Sequence, residues 1–142
     1  MSQFTKLLSL LCLLLSACND SVVTTEYWPD GTSKRQATVQ SGDTVRIEVF
    51  DEKGRITKVS NWKLGMRHGT WEAFYPDGKQ WSIHHYEEGV QVGQYQTWHP
   101  NGKPFILGQY DSLGAPAGTW QFFDEKGQLI EEKAGVSIHN SK

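Results

Sequence analysis

A pattern that begins with glycine and ends in a glycine-closed turn recurs along this chain, and it restricts the fold more than any other feature. Its three clearest copies are Gly69–Lys79 (GTWEAFYPDGK), Gly93–Lys103 (GQYQTWHPNGK) and Gly118–Gln128 (GTWQFFDEKGQ). Each copy has an aromatic residue at its third position and further aromatic residues before the turn. Fixed periods of about 20–50 residues are typical of solenoids, propellers and repeat arrays. The pattern therefore predicts one repeated unit rather than one cluster of catalytic groups.

The turn glycines set the length of this unit. They are Gly31, Gly54, Gly78, Gly102 and Gly127, at spacings of 23, 24, 24 and 25 residues. A second series follows at Gly42, Gly65, Gly89 and Gly114, the last one residue later than the others. The variation in length is therefore predicted to lie in the loops. Val45 replaces the opening glycine in the second copy, and the first copy keeps only its end, as expected of repeats that cap a stack.

The residues of the turns indicate what each unit is. Pro76 and Pro100 fix φ near −65°, which excludes a type I′ turn there and favours a type I turn closed by a left-handed glycine. Asp51–Gly54 and Asp124–Gly127 can make the same turn without proline. Such turns join antiparallel strands, so each unit is predicted to be a β-hairpin.

The predicted fold class is all-β, an elongated antiparallel sheet of successive β-hairpin repeats with a period of about 24 residues and about nine or ten strands. Strict alternation of apolar residues fails in places. Trp71 and Tyr75 would share one face while Phe74 takes the other, and Tyr86 is out of step with Trp81. Either both faces are partly covered or a bulge shifts the phase.

Aromatic residues at repeated positions provide the candidate binding face. They are Trp62, Trp71, Tyr75, Tyr86, Tyr95, Tyr110 and Trp120. Such rows can stack on sugar rings, surround a cation or contact a protein partner. The alternative is that they form the core, because stacked hairpins have little else to bury.

The first residues have the pattern of a secretory signal that ends in a lipidated cysteine. Lys6 precedes an apolar run over 7–15 that is too short to span a bilayer, and Cys18 follows. The end of this segment resembles a bacterial lipobox, which implies that Cys18 becomes the acylated N-terminus and that palmitate is incorporated. The alternative is an ordinary cleaved signal with a free thiol. Since Asn19 is not the aspartate of the inner-membrane retention signal, the periplasmic face of the outer membrane is favoured over the inner membrane.

The organisation predicted from these patterns has four parts. They are a lipoprotein signal peptide over 1–17, a tether over 18–26, the repeat domain over 27–132 and a polar C-terminal tail over 133–142.

The glycine, aromatic and turn pattern, followed by Tyr86, Gly89 and the next Gly-x-Tyr, resembles the MORN-repeat family. The closer resemblance is to the bacterial MORN variant found in antitoxin-like repeat proteins, and it extends roughly over 27–130. The resemblance implies an elongated antiparallel sheet used for protein contacts, and in eukaryotic members for lipid contacts. It transfers no catalytic residues.

Catalytic and metal chemistry find little support in the sequence. His84 and His85 are neighbours on a predicted strand, so their side chains point to opposite faces and chelate one metal poorly. A composite zinc or nickel site across hairpins stays open as an alternative. The pairs Glu87-Glu88 and Glu131-Glu132 are predicted to be solvated. We predict no catalytic residue, no metal site and no cofactor.

The net charge of −2 argues against nucleic acid, which requires a basic face. The sequence instead predicts a monomeric, non-enzymatic module, bound to the membrane through acyl chains on Cys18. Its expected partner is an unidentified envelope protein, contacted by the aromatic face or an edge strand. Binding of a glycan or peptidoglycan, and an antitoxin or immunity role, are the alternatives.

Overall fold

The computed structural model describes residues 20–135, and over this range the chain forms one antiparallel sheet whose strands follow chain order. The strands are β1 (Ser21–Tyr27), β2 (Ser33–Gln40), β3 (Asp43–Phe50), β4 (Ile56–Lys63), β5 (Met66–Phe74), β6 (Gln80–Glu87), β7 (Val90–Trp98), β8 (Pro104–Tyr110), β9 (Pro116–Phe123) and β10 (Leu129–Ala134). Each strand pairs only with its neighbours in sequence. The predicted all-β sheet of successive hairpins is confirmed. Within the described range, no helix is long and apolar enough to cross a membrane.

The turns at one end of the sheet, which we call the first end, have the predicted geometry. Gly78 N donates to Tyr75 O at 2.9 Å, Tyr75 N donates to Lys79 O at 2.8 Å, and Gly78 has φ +86°. Asp77 is not among the residues with positive φ, which excludes a type II turn. The same pair of hydrogen bonds closes the turns at 28–32, 51–55, 99–103 and 124–128. Type I turns closed by a left-handed glycine are therefore confirmed, with and without proline.

The turns at the opposite end are shorter. They are Ser41-Gly42, Leu64-Gly65 and Glu88-Gly89, and both residues of each have positive φ, as a type I′ turn requires. The turn between β8 and β9 differs, because Tyr110 pairs with Pro116 and the loop between them has the longer hydrogen-bond pattern of the first end. This change of turn type places Gly114 one residue later than its counterparts. The prediction that the drift lies in the loops is confirmed.

Close to the first end, one extra residue interrupts the strand pairing in the hairpins β3–β4, β5–β6, β7–β8 and β9–β10. Ala73 pairs with Ser82 and Phe74 pairs with Gln80, so Trp81 is left over. The residues at the equivalent bulges are Thr57, Phe105 and Ile130. These bulges shift the side-chain phase along the strand, which is why strict alternation fails in the sequence.

A wider irregularity in the strand pairing explains why the repeat unit begins with glycine. Between the pairs Ser60–Trp71 and Trp62–Arg67, β5 has two more residues than β4. The opening glycines Gly69, Gly93 and Gly118 lie in three such irregularities with φ of +64°, +67° and +63°. In β3, where Val45 occupies this position, only one extra residue is present and Val45 does not have positive φ. The glycine therefore permits the wider form of the bulge.

The core lies within the two faces of a single layer. Ile47, Ser60 and Trp71 are in register across β3, β4 and β5 and are buried on one face. Val59 precedes Ser60 on β4 and is buried on the other face. Among the described residues, no large side chain is less than 2% exposed. Stability therefore depends on contacts between neighbouring strands within each face.

Two predicted boundaries need correction. Residues 21–26 were predicted to be part of a tether, but they belong to β1, which pairs with β2 from Ser21–Val39 to Tyr27–Ser33. The prediction was wrong because the β-branched run over 22–25 has high strand propensity and β2 offers it a free edge. At the other terminus, β10 continues two residues past the predicted limit of 132. The signal peptide, Cys18 and most of the C-terminal tail lie outside the described residues.

Side chains at the first end connect successive turns. Lys79 Nζ donates to Pro100 O at 3.0 Å, and Lys103 Nζ donates to Lys126 O at 2.6 Å. Asn101 Nδ2 donates to Glu125 O at 2.6 Å. The lysine that follows the turn glycine thus fixes the spacing of adjacent hairpins.

Candidate functional site

Six of the seven predicted aromatic residues form two stacks on one face of the sheet. We call them the aromatic belt, and they are Trp62, Trp71, Tyr86, Tyr95, Tyr110 and Trp120. In the first stack, the ring centroid of Trp71 lies 5.0 Å from that of Trp62 and 5.2 Å from that of Tyr86. In the second, the Trp120 ring lies 5.2 Å from Tyr95 and 5.1 Å from Tyr110. These distances are those of tilted and edge-to-face aromatic packing.

The belt is chiefly a packing feature. Trp71 is only 9% exposed, and its Nε1 donates to Asn61 O at 2.9 Å. The other five rings are half-buried. Burial raises the pKa of Tyr95 and Tyr110, so both phenols are neutral at physiological pH. A binding role for the outer edges of these rings stays a prediction.

Tyr75, the seventh residue, lies outside the belt and joins two hairpins. Its ring centroid is 6.3 Å from that of Trp81, and its hydroxyl donates to Trp98 O at 2.7 Å. His99 repeats this arrangement in the next unit, with Phe105 at 4.6 Å and Nε2 at 2.9 Å from Phe123 O. In these two units, the residue that begins the turn therefore supports the aromatic residue at the bulge that follows.

Apolar side chains are exposed at the bulges of three successive hairpins. Trp81 is 50% exposed, Phe105 is 40% exposed and Ile130 is 66% exposed. We call these three residues the docking row. Sequence reasoning placed none of them in the candidate face. Alignment of the units on their turn glycines would have found them, because each lies three residues after Gly78, Gly102 or Gly127.

A groove beside Trp81 joins the docking row to the belt. It has a volume of about 370 Å³, and its lining includes Trp71, Tyr95 and the buried Ser82 and Thr97. Trp81 lies on the belt side of the sheet, because its ring packs against Tyr75, which alternation along the chain places on the same face as Trp71.

Two cations border this groove. Lys58 Nζ lies 5.1 Å from the Trp71 ring centroid, and Arg67 Cζ lies 5.1 Å from Trp71 and 5.4 Å from Tyr86. These are cation–π distances. Over residues 20–135, neither cation has a carboxylate within ion-pair distance.

The two adjacent histidines lie on opposite faces. The His84 ring packs edge-on against Tyr95 at 4.8 Å, whereas His85 Nδ1 lies 3.5 Å from Thr70 Oγ1. Burial, then the charge of Lys58 and that of His85, lowers the pKa of His84. Gln91 Nε2 lies 3.0 Å from His84 Nδ1, which fits a neutral ring that accepts from the amide. In the part of the chain that the structure describes, no three His, Cys, Asp or Glu residues are grouped to hold a metal ion.

Comparison with known proteins gives one result. The family model of the MORN repeat variant matches three segments of the chain, residues 67–88, 91–112 and 117–133. These segments fall on the hairpins β5–β6, β7–β8 and β9–β10. No curated protein matches the chain.

Proposed function

Because this chain belongs to the MORN-repeat family, in its variant form, we propose that it is a membrane-anchored, non-enzymatic module that binds a protein in the bacterial envelope. Repeats of this family are generally modules that bind proteins or membranes. The observation that carries the proposal is the docking row, since its apolar side chains are held out from the sheet at the same position of successive repeats.

The geometry of the row suits a protein partner. Its members lie on β6, β8 and β10, and two strand spacings of about 4.8 Å separate successive members by about 10 Å. The row is therefore about 20 Å long, which matches an extended segment of about six residues or three to four turns of a helix. Exposed aromatic residues are enriched among the residues that dominate binding energy in protein interfaces. Because the backbone bulges already hold these side chains in position, ordering them on binding costs little conformational entropy.

The docking row is tested by replacing Trp81 and Phe105 with serine. We expect the double variant to lose a specific crosslinked partner while keeping the wild-type far-ultraviolet spectrum, because both side chains are substantially exposed. The measurement is quantitative mass spectrometry of crosslinked material captured from bacterial membranes. The matched control is Leu113→Ser, which removes an exposed apolar side chain from the β8–β9 turn. Equal capture by the wild type and the double variant would show that the row is not the contact.

Membrane anchoring through Cys18 forms a separate part of the proposal. Several acyl chains, at about 0.8 kcal/mol per buried methylene, give an anchor that does not depend on protein charge. Labelled palmitate is expected in the wild type and not in Cys18→Ser, and fractionation is expected to place the wild type in the outer membrane. Label in both proteins would exclude lipidation at Cys18.

Glycan binding is the second candidate, and the exposed indole of Trp81 beside the hydroxyls of Ser82 and Thr97 is the observation that favours it. Sedimentation with isolated peptidoglycan tests this alternative, and no enrichment over Trp81→Ser would remove it. The antitoxin or immunity role is a special case of protein binding. The identity of the crosslinked partner decides it.

A further inference from the structure

We infer that the groove between Lys58, Arg67 and Trp81 selects an acidic segment of the protein partner, one whose Asp or Glu side chains flank an apolar residue. This inference rests on the proposed function, because it assigns a chemistry to the partner that docks on the row. Four observations lead to it: the position of the cations, their lack of ion pairs, the engagement of the groove's acidic residue on the other face, and the contrast with that face.

The two cations converge on one ring. Because Lys58 Nζ and Arg67 Cζ each lie 5.1 Å from the Trp71 centroid, they are no more than about 10 Å apart. Trp71 is buried beneath them and fixes their position. Acidic side chains at alternate residues of an extended segment lie about 7 Å apart at the backbone, within this range.

Among the described residues that line the groove, Glu72 is the one acid, and its carboxylate is engaged elsewhere. It pairs in register with Val59 and Ile83, so its side chain belongs to the face opposite the belt. There it accepts a hydrogen bond from Gln80 Nε2 at 3.3 Å. The groove therefore presents positive charge beside apolar surface, although the whole chain has a net charge of −2.

A groove of about 460 Å³ on the opposite face provides an internal comparison. It is also lined by two cations, Arg46 and Arg55. Arg46 Nη2 lies 2.9 Å from Glu48 Oε1, and Arg55 Nη2 lies 2.7 Å from Asp51 Oδ2. The charges are compensated there and uncompensated at Lys58 and Arg67, which points to a ligand that supplies the missing carboxylates. Charge-assisted contacts of this kind are stronger than neutral ones.

The test is selection of displayed random dodecapeptides on the purified full chain, followed by affinity measurement of a selected peptide by fluorescence anisotropy. We expect the wild type to enrich peptides that combine Asp or Glu with an apolar residue. The variant Lys58→Met/Arg67→Met keeps apolar contact with Trp71 and is expected to lose the acidic preference, with affinity for a selected acidic peptide falling at least about tenfold. Raising the salt concentration is expected to weaken wild-type binding and to leave the variant nearly unchanged.

The control is Lys133→Met, which removes a cation that lies 5.4 Å from the Phe122 ring but is already paired with Glu131 at 3.2 Å. It is expected to keep the acidic preference. Peptides enriched without acid, whose binding Trp81→Ser abolishes, would overturn this inference and leave the docking row in place. If the wild type enriches no peptide more strongly than Trp81→Ser does, both this inference and the docking row are contradicted. If Lys133→Met also loses the preference for acidic peptides, that preference depends on the overall charge of the protein rather than on the groove.

Discussion

Replacing Gly108 with alanine is expected to lower the free energy of unfolding by about 1–3 kcal/mol, the usual cost of overpacking a well-packed site. A Cβ at this position would lie 2.4 Å from Cδ2 of Trp120 and 2.5 Å from its Cε3. Tyr95 and Tyr110 pack against the same ring, so it cannot withdraw without disrupting the second stack of the belt. The measurement is urea unfolding followed by tryptophan fluorescence and circular dichroism.

A double-mutant cycle with Trp120→Ala separates this clash from a backbone effect. Gly108 does not have positive φ, so alanine is compatible with its backbone. Once the indole is removed, Gly108→Ala is expected to be neutral or to stabilise by up to about 1 kcal/mol, because alanine loses less conformational entropy than glycine. Equal destabilisation in both backgrounds would show that Trp120 is not the cause.

The repeat architecture could be predicted in detail because turns depend on local chemistry. Pro76 fixes its own φ, and Gly78 permits the left-handed conformation that closes the turn, so the sequence alone specifies the hairpin. The shift at Gly114 could likewise be placed in a loop from spacing alone. These features involve residues that are close in sequence, which is why no knowledge of tertiary packing was needed.

The candidate site was harder to predict, because exposure in a single-layer sheet depends on the bulges. Trp71 and Trp81 are both tryptophans near one turn, yet one is 9% exposed and the other 50% exposed. The bulge that leaves Trp81 unpaired depends on the registration of β5 against β6, which residue type alone does not indicate. The cation pair was also hidden, because Lys58 and Arg67 lie on adjacent strands and the irregular register of β4 against β5 decides whether both reach the Trp71 ring.

Over residues 20–135 the chain forms a single layer, and its aromatic face has two roles. The belt rings pack against one another and so bury part of their surface. Smaller side chains on the same face, such as Ser82 and Thr97, line the groove. Packing and the proposed binding therefore use the same face but different side chains. This separation is what makes it possible to weaken binding without unfolding the protein.

Trp71→Ala is expected to destabilise the domain by about 3–5 kcal/mol, the range for truncating a buried tryptophan. The change removes packing against Trp62 and Tyr86, the hydrogen bond to Asn61 O and the support for two cations. Because small domains have a total stability of about 5–15 kcal/mol, this one substitution removes a large part of it. Thermal unfolding followed by circular dichroism measures the effect.

Trp81→Ala is the matched control, since it removes the same side chain from the same face at an exposed position. Its stability is expected to stay within about 1 kcal/mol of the wild type, the range for most surface substitutions. The two variants should therefore lose partner capture for different reasons, Trp71→Ala together with the folded state and Trp81→Ala with the fold intact. A folded Trp71→Ala protein of wild-type stability would contradict the assignment of the belt as the core. An unfolded Trp81→Ala protein would show that the docking row is also needed for packing, and binding could then not be assigned to its exposed surface.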